Sequence, residues 1–242
     1  VINGDIDNVE EIYAQAVCNV ITVGKNSSSD YTATDISYDN CGRCSYTLIY
    51  KGAPECTVSL GVAGLHNVYN SLAAIAVARH MGLSYDTILP GISNFTGTER
   101  RFQKKGMVNG ITIIDDYAHH PDEIAATIST AEKYPHKKLT VIFQPHTYTR
   151  TKAFLNDFAK TLSRADRIIL ADIYAARETD TLGISSEDIC RLIKEYGTEC
   201  IYEPDFDRIP TLIKELCSNG DLVITMGAGN IVEVGETLIN NP

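Results

Sequence analysis

The stretch "TIIDDYAHHPDEIAATI", residues 112–128, contains the pattern that decides the fold of this chain. Thr112 to Ile114 is typical of a buried strand. The segment that begins at Pro121 is typical of a helix, because proline is favoured in the first turn and acidic residues follow it. Between the two, residues 115–120 hold two aspartates, one tyrosine and two histidines. A strand, a polar turn and a helix in this order make one unit of an α/β protein.

The same unit repeats towards the carboxyl end of the chain. "KKGMVNGITIID", residues 104–115, predicts a hairpin with an Asn-Gly turn, and helices alternate with short apolar strands after it. The predicted strands are 139–143, 167–170, one near Cys200 and 222–226. Three helices are predicted at 151–163, 185–196 and 206–218, and two more begin at Pro121 and at Ile231. Repeated units of this kind indicate a parallel sheet covered by helices on both faces.

The amino-terminal part of the sequence has a different pattern. Three short runs with partial alternation, 31–38, 45–50 and 56–62, are joined by Asn, Gly and Pro turns and predict a small antiparallel meander. The alanine-rich segment from Asn67 to Gly82 predicts a buried helix. A Gly- and Thr-containing link at 91–98 follows. We therefore expect two domains, at 1–97 and 98–242.

Composition limits the classes of partner. The 242 residues, 44% of them hydrophobic, suit one large or two smaller globular domains. A net charge of −10 argues against nucleic-acid or anionic-membrane partners, and no apolar run is long enough to span a bilayer. We expect a cytoplasmic protein that meets any phosphate with a local cluster of positive groups. Since the chain starts at Val1, in what looks like the end of a strand, we also expect it to begin inside a domain.

The seven cysteines do not form a disulfide pattern. Their odd number and irregular spacing are typical of reduced thiols. Cys41 and Cys44 form a CxxC pair, but no second pair or nearby histidines complete a zinc site, so the pair is better explained as a hairpin tip. No residue is predicted as a metal ligand.

Four polar loops follow predicted strands. They are residues 115–120, "QPHTYTR" at 144–150, "DIYAARE" at 172–178 and "GAGN" at 227–230. In parallel sheets the ligand lies beyond the carboxyl ends of the strands, so these loops would line one rim. A single polar turn is ordinary at a surface, but four together favour a binding site.

Each rim loop has a functional and an ordinary explanation. A carboxylate in the first loop could accept from ribose hydroxyls or hold a magnesium-bound water, and imidazoles could bind phosphate; alternatively, the residues before Pro121 cap the helix. In the second loop Arg150 could hold a carboxylate with two parallel hydrogen bonds, or the loop is an ordinary start of a surface helix. "GAGN" could bind an anion through backbone amides, although glycine-rich turns are common after strands.

Two further clusters precede the rim. "GLHNVYN", residues 64–70, places two asparagines on one helix face, where their amides could pair with adenine or else cap the helix. "GTERRFQKK", residues 97–105, gathers four cations at the inferred domain boundary. Such a run is ordinarily a solvated face, but a phosphate between domains would need it. Of the two arginines, we expect Arg100 to be the more exposed.

The motifs "GLHNVYNSLAA", "GTERRF", "IDDYAHHPDEI", "QPHTYTRT" and "MGAGNI" occur in an order that resembles the Mur ligases, and the resemblance covers the whole chain. It implies the end of a central ATPase domain with a small antiparallel sheet, at 1–97, followed by a Rossmann-like carboxyl-terminal domain, at 98–242. The forms "HHP" and "PHTYTRT" are most similar to the members that use L-alanine. Further amino-terminal domains of the same protein are implied as partners.

The resemblance also implies a reaction. Such a ligase uses ATP and magnesium to convert the lactyl carboxylate of UDP-N-acetylmuramate into an acyl phosphate, which the amine of L-alanine attacks. This would be a cytoplasmic step of peptidoglycan synthesis, and so of cell wall biogenesis, cell shape and division. The sequence departs from the family in having no GxxxxGK[ST] motif, since "VGKNSSS" at 23–29 imitates only its end. We therefore expect this chain alone to be inactive.

Site roles follow from motif position in the resemblance. The residues implied to bind the nucleotide are His66, Asn67, Asn70, Arg101, Asp116, Tyr117 and His119. Asn67 and Asn70 would contact adenine, Arg101 the phosphates and Asp116 the ribose. His146 and Arg150 would face the alanine and muramyl carboxylates. Thr147 stands where some relatives carry a second arginine, which leaves one fewer cation for the amino acid.

Three alternatives stay open at this point. A related ligase that joins a recycled peptide to the same UDP-sugar shares residues like "DDYAHHP", although "PHTYTRT" favours the alanine enzyme. A non-catalytic nucleotide-binding module is the second alternative. A dinucleotide-dependent oxidoreductase is the third, but "GAGN" follows the last strand and no GxGxxG opens a βαβ unit.

Overall fold

The computed structural model describes residues 1–241 and divides into two compact units, Val1–Gly97 and Thr98–Pro242. The first unit contains β1 (Ile2–Asn3), α1 (Val9–Gln15), β2 (Thr22–Val23), β3 (Tyr31–Tyr38), β4 (Arg43–Tyr50), β5 (Ala53–Ala63), α2 (Leu65–His80) and α3 (Tyr85–Asn94). Its sheet has the order β1-β2-β3-β4-β5. The predicted meander of β3, β4 and β5 is confirmed, and β1 and β2 extend it in parallel.

Helix α2 forms the core of the first unit against the meander. Leu72 and Ile75 of α2 are fully buried, as are Leu48 and Val58 of the sheet. The hydroxyl of Tyr46, also buried, pairs with Ser71 Oγ at 2.6 Å, so its polar end is satisfied inside the core. Alanine favours the helical conformation, and the burial of the longer apolar side chains of α2 against the sheet stabilises the helix.

The sequence missed α1 and α3. Helix α3 contains Gly91 and Pro90, and a proline inside a helical pattern argues against a helix. The link predicted at 91–98 is therefore shorter than expected, because its first residues are helical. Helix α1 has only seven residues and none of them is buried, so no apolar stripe marks it in the sequence.

The second unit is a six-stranded α/β layer structure. It contains β6 (Gln103–Val108), β7 (Ile111–Asp116), α4 (Pro121–Ala131), β8 (Leu139–Phe143), α5 (Tyr148–Ala153), α6 (Leu155–Leu162), β9 (Arg167–Leu170), α7 (Ser186–Glu195), β10 (Glu199–Tyr202), α8 (Ile209–Leu216), β11 (Leu222–Met226) and α9 (Val232–Asn240). The strand order is β10-β9-β8-β11-β7-β6, and among the described strands of this sheet only the β6–β7 pair is antiparallel. The predicted parallel sheet thus carries the predicted hairpin at its edge.

Helices cover both faces of this sheet. One core contains apolar side chains of α4, α6 and α7, and the other contains those of α8 and α9. Strand β8 serves both cores, because Val141 and Phe143 face the first and Ile142 faces the second. This explains why its sequence is a continuous apolar run rather than an alternating one.

Two boundaries differ from the predictions. Strand β7 continues to Asp116, so Asp115 and Asp116 are strand residues that align with Thr225 and Met226 of β11, and not turn residues as predicted. The helix predicted at 151–163 is two helices, α5 and α6, and the first begins three residues earlier, at Tyr148. The break falls at Phe154 (φ −111°, ψ 22°), whose ring packs against Phe158 with a centroid distance of 6.3 Å.

No helix within residues 1–241 is both long and apolar enough to cross a membrane.

Candidate active site

The candidate site lies where β7, β11 and β8 end side by side. The loops after them are joined by backbone hydrogen bonds, from Gly227 N to Asp116 O and from Gln144 N to Met226 O, both 3.0 Å. The helices after β7 and β8 pack in one layer and the helix after β11 packs in the other. The chain therefore leaves the sheet in opposite directions here, which makes a crevice at a topological switch point. The loop after β9 joins the same rim, as the sequence predicted for all four loops.

Aromatic and imidazole rings form a row across this rim. The His119 ring lies 5.5 Å from Tyr117 and 5.7 Å from His146. The His146 ring is stacked on Tyr174, at 5.6 Å and an interplanar angle of 26°. Three loops that are distant in sequence thus contribute to one row. The sequence did not single out Tyr174, because nothing in "DIYAARE" indicates that this tyrosine stacks on a residue of another loop.

His146 and Arg150 are brought together at this rim. Buried polar atoms that lack a hydrogen-bond partner within residues 1–241 include His146 Nδ1 and Arg150 Nη1. Burial lowers the pKa of His146, and the nearby charges of Arg150 and His119 lower it further, while Glu178 acts in the opposite direction. A buried polar atom without a partner costs free energy, so these two nitrogens are poised to bind a ligand. A carboxylate suits both, because it can accept from a guanidinium and an imidazole at once.

Thr147, between these two residues, has an unusual backbone. Its φ is 65° and its ψ is 146°, a region that β-branched residues rarely occupy. Such a conformation costs roughly 1–3 kcal/mol and persists only where the surroundings enforce it. Thr147 N donates to Tyr174 O at 2.9 Å, and Thr151 N donates to Thr147 O at 3.1 Å. The sequence flagged Thr147 only as a missing cation and gave no signal of this strain.

The loop after β7 supplies both site residues and a helix cap. His120 accepts from Asp122 N at 3.3 Å, so it caps α4, as the alternative explanation proposed. Glu123 accepts from His119 N at 3.0 Å. Despite partial burial, hydrogen bonds from the backbone of His119 and the charges of His119 and Arg101 hold the pKa of Glu123 below its ordinary value. His119 Nδ1 lies 2.9 Å from Tyr117 O, which fixes the ring.

The two aspartates of this segment have structural partners. Asp115 is fully buried; its carboxylate accepts from Arg100 Nε at 2.9 Å and from Thr225 Oγ1 at 2.7 Å. Asp116 accepts from Phe102 N and Ala118 N, both at 2.8 Å. Burial raises the pKa of Asp116, although these backbone hydrogen bonds oppose the rise. Each oxygen of Asp116 already has a donor, so a ribose contact there stays a prediction that requires a further hydrogen bond.

Of the two adjacent arginines, Arg100 is the less exposed, which is the reverse of the prediction. The side chain of Arg100 is 22% exposed and that of Arg101 is 53% exposed, so the expectation for Arg100 is wrong. The reason is Asp115: a buried carboxylate needs a charged partner, and Arg100 supplies it. Arg100 also donates to Gly227 O at 2.7 Å, and its guanidinium lies over the Tyr117 ring at 4.8 Å. Arg101 lies 3.8 Å from Glu123 and is accessible to a ligand.

The glycines of "GAGN" allow close packing, and anion binding by the backbone amides of this loop stays a prediction. A Cβ on Gly229 would lie 2.2 Å from Gln144 Oε1 and 2.8 Å from Tyr174 Cγ. Gln144 also accepts from Ile231 N at 3.3 Å and donates to Asn230 at 3.2 Å. The loop is thus packed against the loops after β8 and β9, and at least one of its nearby amides is used inside the protein.

The candidate residues of the first unit lie in the first turns of α2. Asn67 Nδ2 donates to Ala63 O at 2.7 Å, and Asn70 Nδ2 donates to Asn67 Oδ1 at 3.0 Å. The predicted shared face is therefore confirmed, but the capping alternative for the asparagines is wrong, because both amides donate and do not accept from helix amides. His66 is exposed in the same turn.

Two other motifs of the first unit have local explanations. In "VGKNSSS", the amides of Lys25 and Asn26 bind the carboxylate of Asp5, at 2.8 to 3.0 Å. Cys41 lies in the turn between β3 and β4, as the hairpin alternative predicted. Within residues 1–241, no three His, Cys, Asp or Glu side chains are grouped so as to hold a metal ion.

These features define a class. The second unit is an α/β domain with a switch point, and the loop after β8 at that point carries buried imidazole and guanidinium nitrogens that lack partners within residues 1–241. Such an arrangement is typical of a protein that binds an anionic small molecule at the carboxyl ends of parallel strands.

Comparison with known proteins gives the family. Residues 100–229 match the domain described as "Mur ligase, glutamate ligase domain", and residues 1–78 match the "Mur ligase middle domain". The chain belongs to the Mur ligase family.

The matched relatives are longer than this chain. A UDP-N-acetylmuramate–L-alanine ligase of Lachnospira eligens is 57% identical over 240 residues, which are 99% of this chain and 52% of the relative. The solved UDP-N-acetylmuramate-alanine ligase of Thermotoga maritima has a TM-score of 0.78 at 27% identity, over 91% of this chain and 47% of that one. A MurF ligase of Thermotoga maritima, solved in complex with ADP, has a TM-score of 0.74 at 20% identity, over 98% of this chain and 52% of that one, and shows the fold alone. The chain thus spans about half the length of the curated relatives it matches.

Proposed function

We propose that this chain is the carboxyl-terminal part of an ATP-dependent ligase that joins L-alanine to UDP-N-acetylmuramate. The observation that carries the proposal is the pair of buried, unpartnered nitrogens, His146 Nδ1 and Arg150 Nη1, at the switch point of the second unit. The similarity to the Lachnospira eligens ligase supports the choice of substrates. The domains are assigned as the end of the central ATPase domain, 1–97, and the carboxyl-terminal domain, 98–242.

The pair suits a carboxylate that must be held still during amide formation. The amine attacks the carbon of an acyl phosphate, the new C–N bond forms and phosphate leaves, so the reaction depends on positioning and on neutralising charge. Arg150 keeps its charge and binds the carboxylate of alanine. His146, which its lowered pKa keeps neutral near pH 7, donates or accepts a single hydrogen bond beside it. His146 also faces the muramyl carboxylate in this proposal.

Each unit contains residues that we propose to bind the nucleotide. Asn67 and Asn70 offer amide groups on one face of α2 that match the donor and acceptor edges of adenine, with His66 beside them. In the second unit, Arg101 is exposed enough to bind phosphates, and Tyr117 and His119 are its other proposed nucleotide contacts. Asp116 contacts the ribose. ATP as the nucleotide is a prediction that follows from the match to the Mur ligase middle domain.

Magnesium fits this chain only as a companion of the nucleotide. Magnesium usually keeps several waters and binds one or two carboxylates together with phosphate oxygens. One or two carboxylates near the phosphates would therefore be enough, and a group of three ligating side chains is not required. Magnesium neutralises phosphate charge when it is bound, and no side chain assigned above depends on it for its position.

A chimera tests the proposal. The chain is joined to the amino-terminal half of the Lachnospira eligens ligase, and phosphate release is measured with ATP, magnesium, UDP-N-acetylmuramate and L-alanine. We expect alanine-dependent turnover in the chimera and none with the chain alone, which has no GxxxxGK[ST] motif. Arg150→Ala should lower kcat/KM for alanine by more than about tenfold with a much smaller effect on the KM for ATP, while Arg101→Ala should do the reverse.

The same assay separates the alternatives. Turnover with a short peptide as the amine donor, and none with L-alanine, would identify a peptide-joining ligase. A folded chimera that binds ATP and turns over neither amine would leave the nucleotide-binding module as the better description. If Arg150→Ala impaired ATP use and left the alanine response unchanged, the assignment of the β8 loop to the amino acid would be wrong.

A further inference from the structure

We propose that Tyr174 and Glu178, in the loop that follows β9, are positioning residues for His146 and Arg150. Neither residue is expected to touch a substrate. They act by fixing the loop after β8, which carries both ligand-binding side chains. The geometric part of this inference concerns only the second unit, and its catalytic meaning rests on the proposed function.

Tyr174 holds the imidazole of His146 from one side. The two rings are stacked at 5.6 Å, and the backbone of the two residues forms a parallel bridge. Tyr174 N donates to Pro145 O at 2.8 Å, and Thr147 N donates to Tyr174 O at 2.9 Å. The Tyr174 ring also packs closely on Gly229, where a Cβ would lie 2.8 Å from Tyr174 Cγ. The ring therefore has contacts with two loops of the rim, which restrict its movement away from His146.

Glu178 holds the start of helix α5, which carries Arg150. Helix α5 has six residues and no cap from its own Thr147 side chain. The Glu178 carboxylate replaces that cap, because it accepts from Thr149 N at 2.9 Å and from Thr149 Oγ1 at 2.5 Å. These hydrogen bonds keep the pKa of Glu178 below its ordinary value. Arg150 follows Thr149 directly, so the cap sets where its side chain leaves the helix.

The strained backbone of Thr147 explains why this support is needed. A threonine at φ 65° would relax if its neighbours were free, and relaxation would turn His146 and Arg150 away from each other. The loop after β9 contacts the chain at the strained residue and just after it. Tyr174 O accepts from the Thr147 amide, and the Glu178 carboxylate accepts from the amide two residues later. The segment is itself compact, since Glu178 N donates to Ala175 O at 2.9 Å.

The first experiment measures His146 directly in the 242-residue chain. Its imidazole is titrated by NMR and assigned by the signal that His146→Gln removes. In Tyr174→Ala the imidazole of His146 loses its stacked neighbour and becomes more hydrated, so its pKa should rise by at least about 0.3 pH unit. Tyr174→Phe keeps the ring and should keep the wild-type value. Tyr196→Ala, at an exposed tyrosine of the same unit, is the matched control and should also leave it unchanged.

Glu178 is tested through the amide that it caps. Hydrogen exchange at Thr149 N should accelerate by about tenfold or more in Glu178→Gln, since the charged acceptor is lost. Glu215→Gln, at an exposed glutamate of α8, is the control and should leave this exchange rate unchanged. An unchanged His146 pKa in Tyr174→Ala, a Tyr174→Phe variant that behaves like Tyr174→Ala, or an unchanged Thr149 exchange rate would each overturn the positioning role.

The chimera adds the catalytic readout. Tyr174→Ala and Glu178→Gln should each raise the KM for L-alanine by about tenfold while the KM for ATP stays within about twofold, and Tyr174→Phe should restore the alanine KM. Equal effects on both substrates would indicate a general structural defect and contradict the inference. If the unmodified chimera has no alanine-dependent activity, the proposed function fails, and the NMR and exchange results still decide the positioning role.

Discussion

The candidate residues of the two units are held in different ways. In the first unit they lie within five positions of one helix, and their contacts are local, from Asn70 to Asn67 and from Asn67 to Ala63. In the second unit they come from separate loops, and the contacts that fix them join residues as far apart as Arg100 and Gly227. A local site tolerates changes elsewhere in its domain, whereas a site built from a network is expected to lose its members together.

The largest difference should come from two ion pairs, one in each unit. Asp115→Asn removes the carboxylate that pairs with Arg100 in the second unit, and the amide keeps an acceptor for Thr225. Because the Asp115 side chain is fully buried and its partner largely so, the free energy of unfolding should fall by about 3 kcal/mol. Urea unfolding, with hydrogen exchange of β11 amides to locate the loss, measures this.

Asp39→Asn is the matched change in the first unit. Its Oδ1 still accepts from the amides of Cys41 and Arg43, and only the exposed pair with Arg43 Nε is lost. The cost should stay below about 1 kcal/mol, because both side chains of the pair are 41% exposed or more. If the two variants lost equal free energy of unfolding, the contacts at the rim of the second unit would be no more cooperative than those of the hairpin in the first unit.

A smaller difference is expected between two glycines. Gly229→Ala places a Cβ against Gln144 and Tyr174 and should destabilise the second unit by about 2 kcal/mol, with a displaced His146 ring. In Gly52→Ala, in the β4–β5 turn of the first unit, the added Cβ meets no atom within 4 Å. Only the strain of alanine at a φ of 81° should then lower the free energy of unfolding, by about 1 kcal/mol. Thermal unfolding and NMR shifts of His146 compare them. A Gly229→Ala variant with an undisturbed His146 would contradict the close packing of the three loops.

The smallest effect concerns pH. The folded-state pKa of His146 lies below the ordinary value of about 6.5, mainly through burial. The unfolded chain therefore binds this proton more tightly, and the free energy of unfolding should fall as the pH drops through about 6.5 towards the folded-state pKa. Relative to His146→Gln, the chain should lose stability on acidification and show a constant difference above about pH 7.5. Parallel stability curves between about pH 5 and pH 7 would show that His146 is not shielded from water.

The sequence was most informative where one local pattern decides the structure. Strands 139–143, 167–170 and 222–226 have the predicted bounds, because each is a short apolar run between polar turns. The four rim loops followed from the rule for parallel sheets. Asp115 was misplaced because a charged residue favours the prediction of a turn, and its burial depends on Arg100, which reaches it from the turn before β6.

The rest of the candidate site depends on contacts that no sequence window contains. Arg100 and Arg101 are adjacent and chemically alike, and only the position of Asp115 decides which of them is buried. Tyr174 gains its role from Gly229 and His146, which lie in two other loops. The roles assigned to His66, Asn67, Asn70 and Asp116 stay predictions, since their contacts inside the chain do not identify a ligand.

The position of strand β11 also bears on how the second unit folds during synthesis. This strand is the last of the sheet to leave the ribosome, yet it lies between β8 and β7, in the middle. Until residues 222–226 emerge, β7 and β8 each present an unpaired edge, and the loops that follow them are not yet joined through β11. From the emergence of β8 until that of β11, the nascent unit therefore consists of two incomplete half-sheets. Chaperones or slow translation near residue 226 would act on this interval, when the half-sheets are most prone to pair with other chains.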